Sequence, residues 1–73
     1  MATHYEHDRT DGEGPFYSIG ECIGHAVDVL DERRAVTGKP QEASILQFWG
    51  KEKRSIHIVK MYPNGALALI NTF

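Results

Sequence analysis

Cysteine is all but missing from this chain, which holds Cys22 alone, so no intrachain disulfide can close and no cysteine-rich zinc site can assemble. A reducing, intracellular setting is expected. Long apolar runs are missing too: the longest, Ala66 to Ile70, is far short of a membrane span, and the N-terminus is acidic where a secretory signal would be basic and then apolar. The expectation is a soluble, cytoplasmic protein without a membrane anchor. Phosphate-binding glycine loops, a nucleophile elbow and paired catalytic carboxylates are likewise absent, and there are no internal repeats or low-complexity tracts. Nothing here marks an enzyme. With 73 residues the chain has room for one domain, 1–73, and one thin core, and typical values per residue place its stability at roughly 4 to 11 kcal/mol.

What is present begins with charge. The net charge of −2 hides a polarity: residues 1 to 32 hold eight carboxylates (Glu6, Asp8, Asp11, Glu13, Glu21, Asp28, Asp31, Glu32) against Arg9. Residues 33 to 73 hold seven bases (Arg33, Arg34, Lys39, Lys51, Lys53, Arg54, Lys60) against Glu42 and Glu52. Such asymmetry hints at an electrostatic partner, but in so small a domain the two halves also touch and neutralise each other.

Residues 1 to 15 are polar and close on Asp11, Gly12, Glu13, Gly14 and Pro15, a punctuating cluster that reads as an arm or loop. The alternation of Thr3, Tyr5 and His7 with His4, Glu6 and Asp8 permits a short edge strand. A helix over about 18–37 follows. Ser18 is placed to cap it, Glu21 to reach back, and Tyr17 to staple onto Cys22. At about 100° per residue, Val29, Cys22, Ala26, Ile19, Leu30, Ile23 and Val27 fill one apolar arc of roughly 160°. Arg33 and Arg34 suit the C-terminal dipole, and Gly38 with Pro40 ends the helix. Gly20 and Gly24 each cost about 1 kcal/mol relative to alanine, which predicts that another backbone, from the sheet or the arm, comes close.

From residue 43 the period changes to two. Strands are predicted at about 44–49, 55–62 and 66–72, joined by a polar loop over Gly50 to Arg54 and by Pro63, Asn64 and Gly65. Proline fixes a negative φ, so the second connection should be a type I turn with Gly65 in the left-handed region, forming a bulge. The fold class is α+β: one amphipathic helix on a three-stranded antiparallel meander, with a possible N-terminal edge strand.

One helix covers only one face of a sheet, so the other should be polar in a solitary protein. Instead both faces carry apolar groups: Ile56 and Ile58 against Val59 and Met61, Leu67 and Leu69 against Ala66, Ala68 and Ile70, and Leu46 and Phe48 against Ile45 and Trp49. The last strand contains no charge or proline to discourage pairing at its edge. Three covers are open: the N-terminal arm with Tyr5, Phe16 and Tyr17, a second copy of the chain, or another protein. Self-association is favoured, because edge pairing across a two-fold axis uses one patch twice.

Cys22 and His25 at i, i+3 have the types of a thiolate and its base, but Cys22 lies in the apolar arc and His25 outside it, so an inert core thiol is expected. His4, His7 and Asp8, with His57, are candidate metal donors, though two histidines in an acidic arm are more often solvated side chains. Asp8 to Gly14 fails as a calcium loop because Glu13 stands where glycine is needed. No catalytic, cofactor or metal assignment results.

The expected function is therefore a non-catalytic protein-interaction module, a homodimer with Asp28, Asp31, Glu32, Arg33, Arg34, Trp49, Lys53, Arg54, Ala68 and Ile70 as contacts. Size and composition would suit an inhibitor or accessory factor from a phage or mobile element, its acidic half occupying a basic site on a host protein. The alternative is a single-stranded nucleic-acid-binding module, with Lys51, Lys53, Arg54 and Lys60 beside Phe48, Trp49 and Tyr62.

Overall fold

The alternation of residues 41–71 and the single apolar arc before them produce, in a computed structural model that describes residues 3–9 and 14–72, a sheet with one helix laid across it. The elements are β1 (Thr3–His7), α1 (Ile19–Thr37), β2 (Gln41–Trp49), β3 (Glu52–Met61) and β4 (Leu67–Asn71). All pairings are antiparallel and the strand order is β1-β2-β3-β4. This is the expected α+β architecture with the N-terminal strand added. Part of the presumed arm is thus built into the sheet, while residues 10–13, most of the rejected calcium loop, lie outside the described residues.

Helix α1 starts and stops for different reasons. Its N-cap Ser18 is extended but makes no side-chain cap bond, and Tyr17 is 70% exposed, so neither the capping box nor the staple onto Cys22 forms. Tertiary packing holds this end instead. The other end is specified locally: Gly38 takes φ 67°, a left-handed geometry that suits glycine, and its N–H donates to the Arg34 carbonyl at 2.8 Å. The two helical glycines do not receive a neighbouring backbone as expected. A Cβ at Gly24 would meet nothing within 4 Å, and one at Gly20 would meet only the Ser18 hydroxyl at 3.6 Å.

Cys22, Ala26 and Leu30, one turn apart, press on Ala43 and Ile45 of β2 and on Ile56, Val59 and Met61 of β3. Three of these eight residues are alanine or cysteine, short side chains that let helix and sheet approach closely. Tyr5, Phe16, Ile19, Ile23 and Val27 wall the core in. Tyr5 and Phe16 also exchange backbone hydrogen bonds at 2.7 and 2.9 Å, tying the segment before the helix to β1.

Register contains one irregularity with large consequences. Ile45 pairs with His57 and Leu46 with Ser55, so Ile56 is an extra residue in β3. Strict alternation placed Ile56 with Ile58; the bulge instead buries Ile56 with Val59 and Met61, leaving Ile58 on the opposite face, half-buried. The hairpin turns are tight. Pairing of Trp49 with Glu52 leaves Gly50 and Lys51 as the whole β2–β3 loop, with Gly50 at φ 57°. That overturns the longer loop expected over Gly50 to Arg54, because glycine at the first central position permits a two-residue turn. At the second, the Gly65 N–H donates to the Tyr62 carbonyl at 2.9 Å and Gly65 takes φ 89°, the anticipated turn and bulge.

Leu30 is fully buried, so Leu30→Ala is expected to cost about 2 to 5 kcal/mol through lost transfer energy and the cavity left behind. Val36→Ala, at a position 80% exposed, should stay within about 0.5 kcal/mol. Urea unfolding midpoints compare the two directly.

Candidate functional site

Helix α1 lies over β1, β2 and β3 and makes no contact with β4. The edge strand is consequently open on both faces: Leu67 and Leu69, whose partners Met61 and Val59 face the helix, are 51% and 55% exposed, and Ile70 on the reverse is 40% exposed. Ala68 shares that reverse face. Further across it, Leu46, Phe48 and Ile58 are half-buried, framed by Glu6, Glu42 and Lys60. The N-terminal segment does not cover this face, since Tyr5 and Phe16 pack against the core and Tyr17 is exposed. His4 reaches it, stacked on Phe48 with centroids 4.7 Å apart and planes 5° from parallel, with the Tyr17 ring edge-on to His4.

A second surface lies at the tip of the β2–β3 hairpin. Core burial along β2 ends at Ile45 and along β3 begins at Ile56, so the distal hairpin stands clear of the core in a molecule 40 Å long and 16 Å thick. There Thr3, Gln47, Trp49, Glu52, Lys53 and Arg54 line an open groove of about 620 Å³. The Ile56 bulge assembles it. Were Ile56 held in regular alternation, Arg54 would share the face of Ile58; with the bulge, Arg54 pairs with Gln47 and Glu52 with Trp49 on the helix-bearing face. Arg54 Nε donates to Gln47 Oε1 at 3.1 Å, which orients the guanidinium, and the Trp49 indole is 54% exposed.

The acidic residues form a third surface. Asp28, Asp31 and Glu32 are exposed on the outer side of α1, with Arg33 exposed next to them. Arg34 is half-buried: it donates to Asp31 Oδ1 at 2.6 Å and to the Pro63 carbonyl at 3.3 Å, joining the helix to the β3–β4 turn. The predicted contacts therefore divide among three surfaces. Lys60, expected beside Trp49, lies at the other end of β3 and pairs with Glu42 at 3.9 Å. Gln47 and Thr3 were missed; the signal for Gln47 was its i, i+2 spacing from Trp49, whereas Thr3 required knowledge that β1 pairs with β2.

The titratable interior is a histidine pair. His7, 3% exposed, places Nε2 at 2.9 Å from His25 Nδ1, and its own Nδ1 accepts the Arg9 backbone N–H at 3.2 Å. With Nδ1 accepting, His7 Nε2 carries the proton and donates to His25 Nδ1. Phe16 lies against both rings, with centroids 6.1 Å from His7 and 5.2 Å from His25. Burial holds the His7 pKa below its ordinary value, His25 lowers it further, and Asp8 opposes the shift. Cys22 is fully buried, and burial, assisted by Glu6, pushes its thiol up to about 11. The thiol is therefore protonated at neutral pH and poorly suited to nucleophilic chemistry. His4 and His7 point to opposite faces of β1, and among the described residues no three His, Cys, Asp or Glu side chains gather where they could hold a metal ion. Also among the described residues, no helix is long and apolar enough to cross a membrane. No protein-family model, curated protein or solved structure matches this chain.

Two outcomes follow from these interior groups. Because the folded His7 pKa is lowered, its stabilisation is full above 6.5 and is lost as pH falls through 6.5 toward the folded-state value, so urea midpoints should drop on acidification and flatten in His7→Gln. Thiol labelling of Cys22 should be slow in the native protein and accelerate with denaturant in step with unfolding.

Proposed function

We propose that the chain is a non-catalytic interaction module acting as a homodimer, joined by antiparallel pairing of β4 with β4 of a second copy. The observation that carries the reading is the state of β4: an edge strand without charged residues, beyond the reach of the helix, with Leu67, Leu69 and Ile70 between 40% and 55% exposed. Such an edge is a template for another strand unless a charge, proline or cover blocks it. A two-fold axis through β4 would bring Leu67 and Leu69 of both copies together on one side, and Ala68 and Ile70 on the other, without opposing like charges. The dimer would then offer two acidic helix surfaces, each with Asp28, Asp31 and Glu32, to a protein partner bearing a basic cleft.

Light scattering across a concentration series tests the association. The molar mass should rise from 8.2 kDa toward twice that value, and Leu69→Lys should hold it at one chain while the circular dichroism spectrum is unchanged. A mass that stays at one chain in the most concentrated wild-type samples removes the reading.

A further inference from the structure

We infer that the groove beside Trp49 is a binding site for a nucleotide unit, the base stacking on the indole and the phosphate meeting Arg54, with Lys53, paired to Phe48, adding positive charge at the rim. Three features converge on that chemistry. The first is the exposed ring: an indole left 54% open at a concave surface offers the flat apolar platform on which any base can stack. The second is local charge. Within Lys51, Glu52, Lys53 and Arg54 three bases stand against one carboxylate, and all four residues are exposed.

The third is preorganisation. Gln47 fixes the Nε side of the Arg54 guanidinium on the same face as the indole, which orients a group whose geometry suits phosphate. Glu52 and Thr3 add hydrogen-bonding groups to the walls, and a carboxylate there can accept from the exocyclic amine of cytosine. The groove's volume of about 620 Å³ falls within the usual range for ligand sites. The acidic surface of the molecule does not oppose this. Asp28, Asp31 and Glu32 belong to the C-terminal half of α1, which leads directly into the start of β2, whereas Trp49 ends that strand. The acidic cluster therefore lies at the opposite end of β2 from the groove.

Trp49 is the only tryptophan in the chain, so its fluorescence reports on this groove alone. Full-length protein at low salt would be titrated with a single-stranded oligodeoxycytidine, with free CMP and with a duplex of equal length. Saturable quenching by the oligonucleotide, weakening steeply as salt rises, is the expected result. Quenching by the oligonucleotide alone identifies a nucleic acid strand as the source; comparable quenching by CMP identifies the free nucleotide. Because removing the indole also removes the signal, variants would be read by anisotropy of a labelled oligonucleotide. Trp49→Ala should weaken binding from roughly five-fold to more than a hundred-fold, and Lys53→Ala with Arg54→Ala should weaken it and reduce its salt dependence. Lys39→Ala, away from the groove, should leave affinity unchanged. Absence of quenching by every ligand at low salt overturns the inference, as does binding that is indifferent to Trp49→Ala or equal for the duplex. The outcome is independent of dimerisation, since Leu69→Lys lies outside the groove and the same titration on that variant separates the two claims.

Discussion

The mismatch between one helix and four strands governs this molecule. A helix about 10 Å across covers two to three strands spaced nearly 5 Å apart, and among the described residues no second helix finishes the layer. The helix is placed over β1, β2 and β3, where its short-side-chain stripe of Cys22 and Ala26 meets Ala43 and Ile45. Everything outside that overlap is surface by necessity. The apolar edge of β4 and the protruding hairpin tip are both products of the same limited coverage, although they differ in chemistry.

The N-terminal segment shows how such a thin core is sealed at its other margin. β1 adds a fourth strand, and Phe16 folds back to bond Tyr5 and shield the His7–His25 pair. An imidazole pair fills a space that is partly polar, because each ring donates or accepts in the plane and is apolar on its faces. Burial lowers the His7 pKa, so this margin loses stability as the medium becomes acidic.

Element order, the helix and its glycine terminus, and the second hairpin were readable because each depends on local chemistry: a period of 3.6, a left-handed glycine, a proline-fixed φ. The strand at Thr3–His7 was only just readable, since its polar residues reflect an edge strand with one face toward the core and His4 on the other. Two local signals misled. Ser18, Glu21 and Tyr17 spell a helix start whose side-chain bonds do not form, and Gly20 and Gly24 face open space rather than a close backbone. The bulge at Ile56 was illegible, because an unpaired residue follows from the registers of two strands against each other and not from either strand's pattern. For that reason the face of Ile56 and the company of Arg54 were both misassigned, while the grouping of Trp49 with Lys53 and Arg54 came from sequence proximity alone.

That single inserted residue also phase-locks the hairpin. Removing Ser55 while the bulge is kept would send Arg54 and Glu52 through to the reverse of the sheet while Trp49 stayed where it is. Length changes beyond the Trp49–Glu52 pair leave this face intact, whereas an unmatched change between that pair and the bulge parts the indole from the guanidinium.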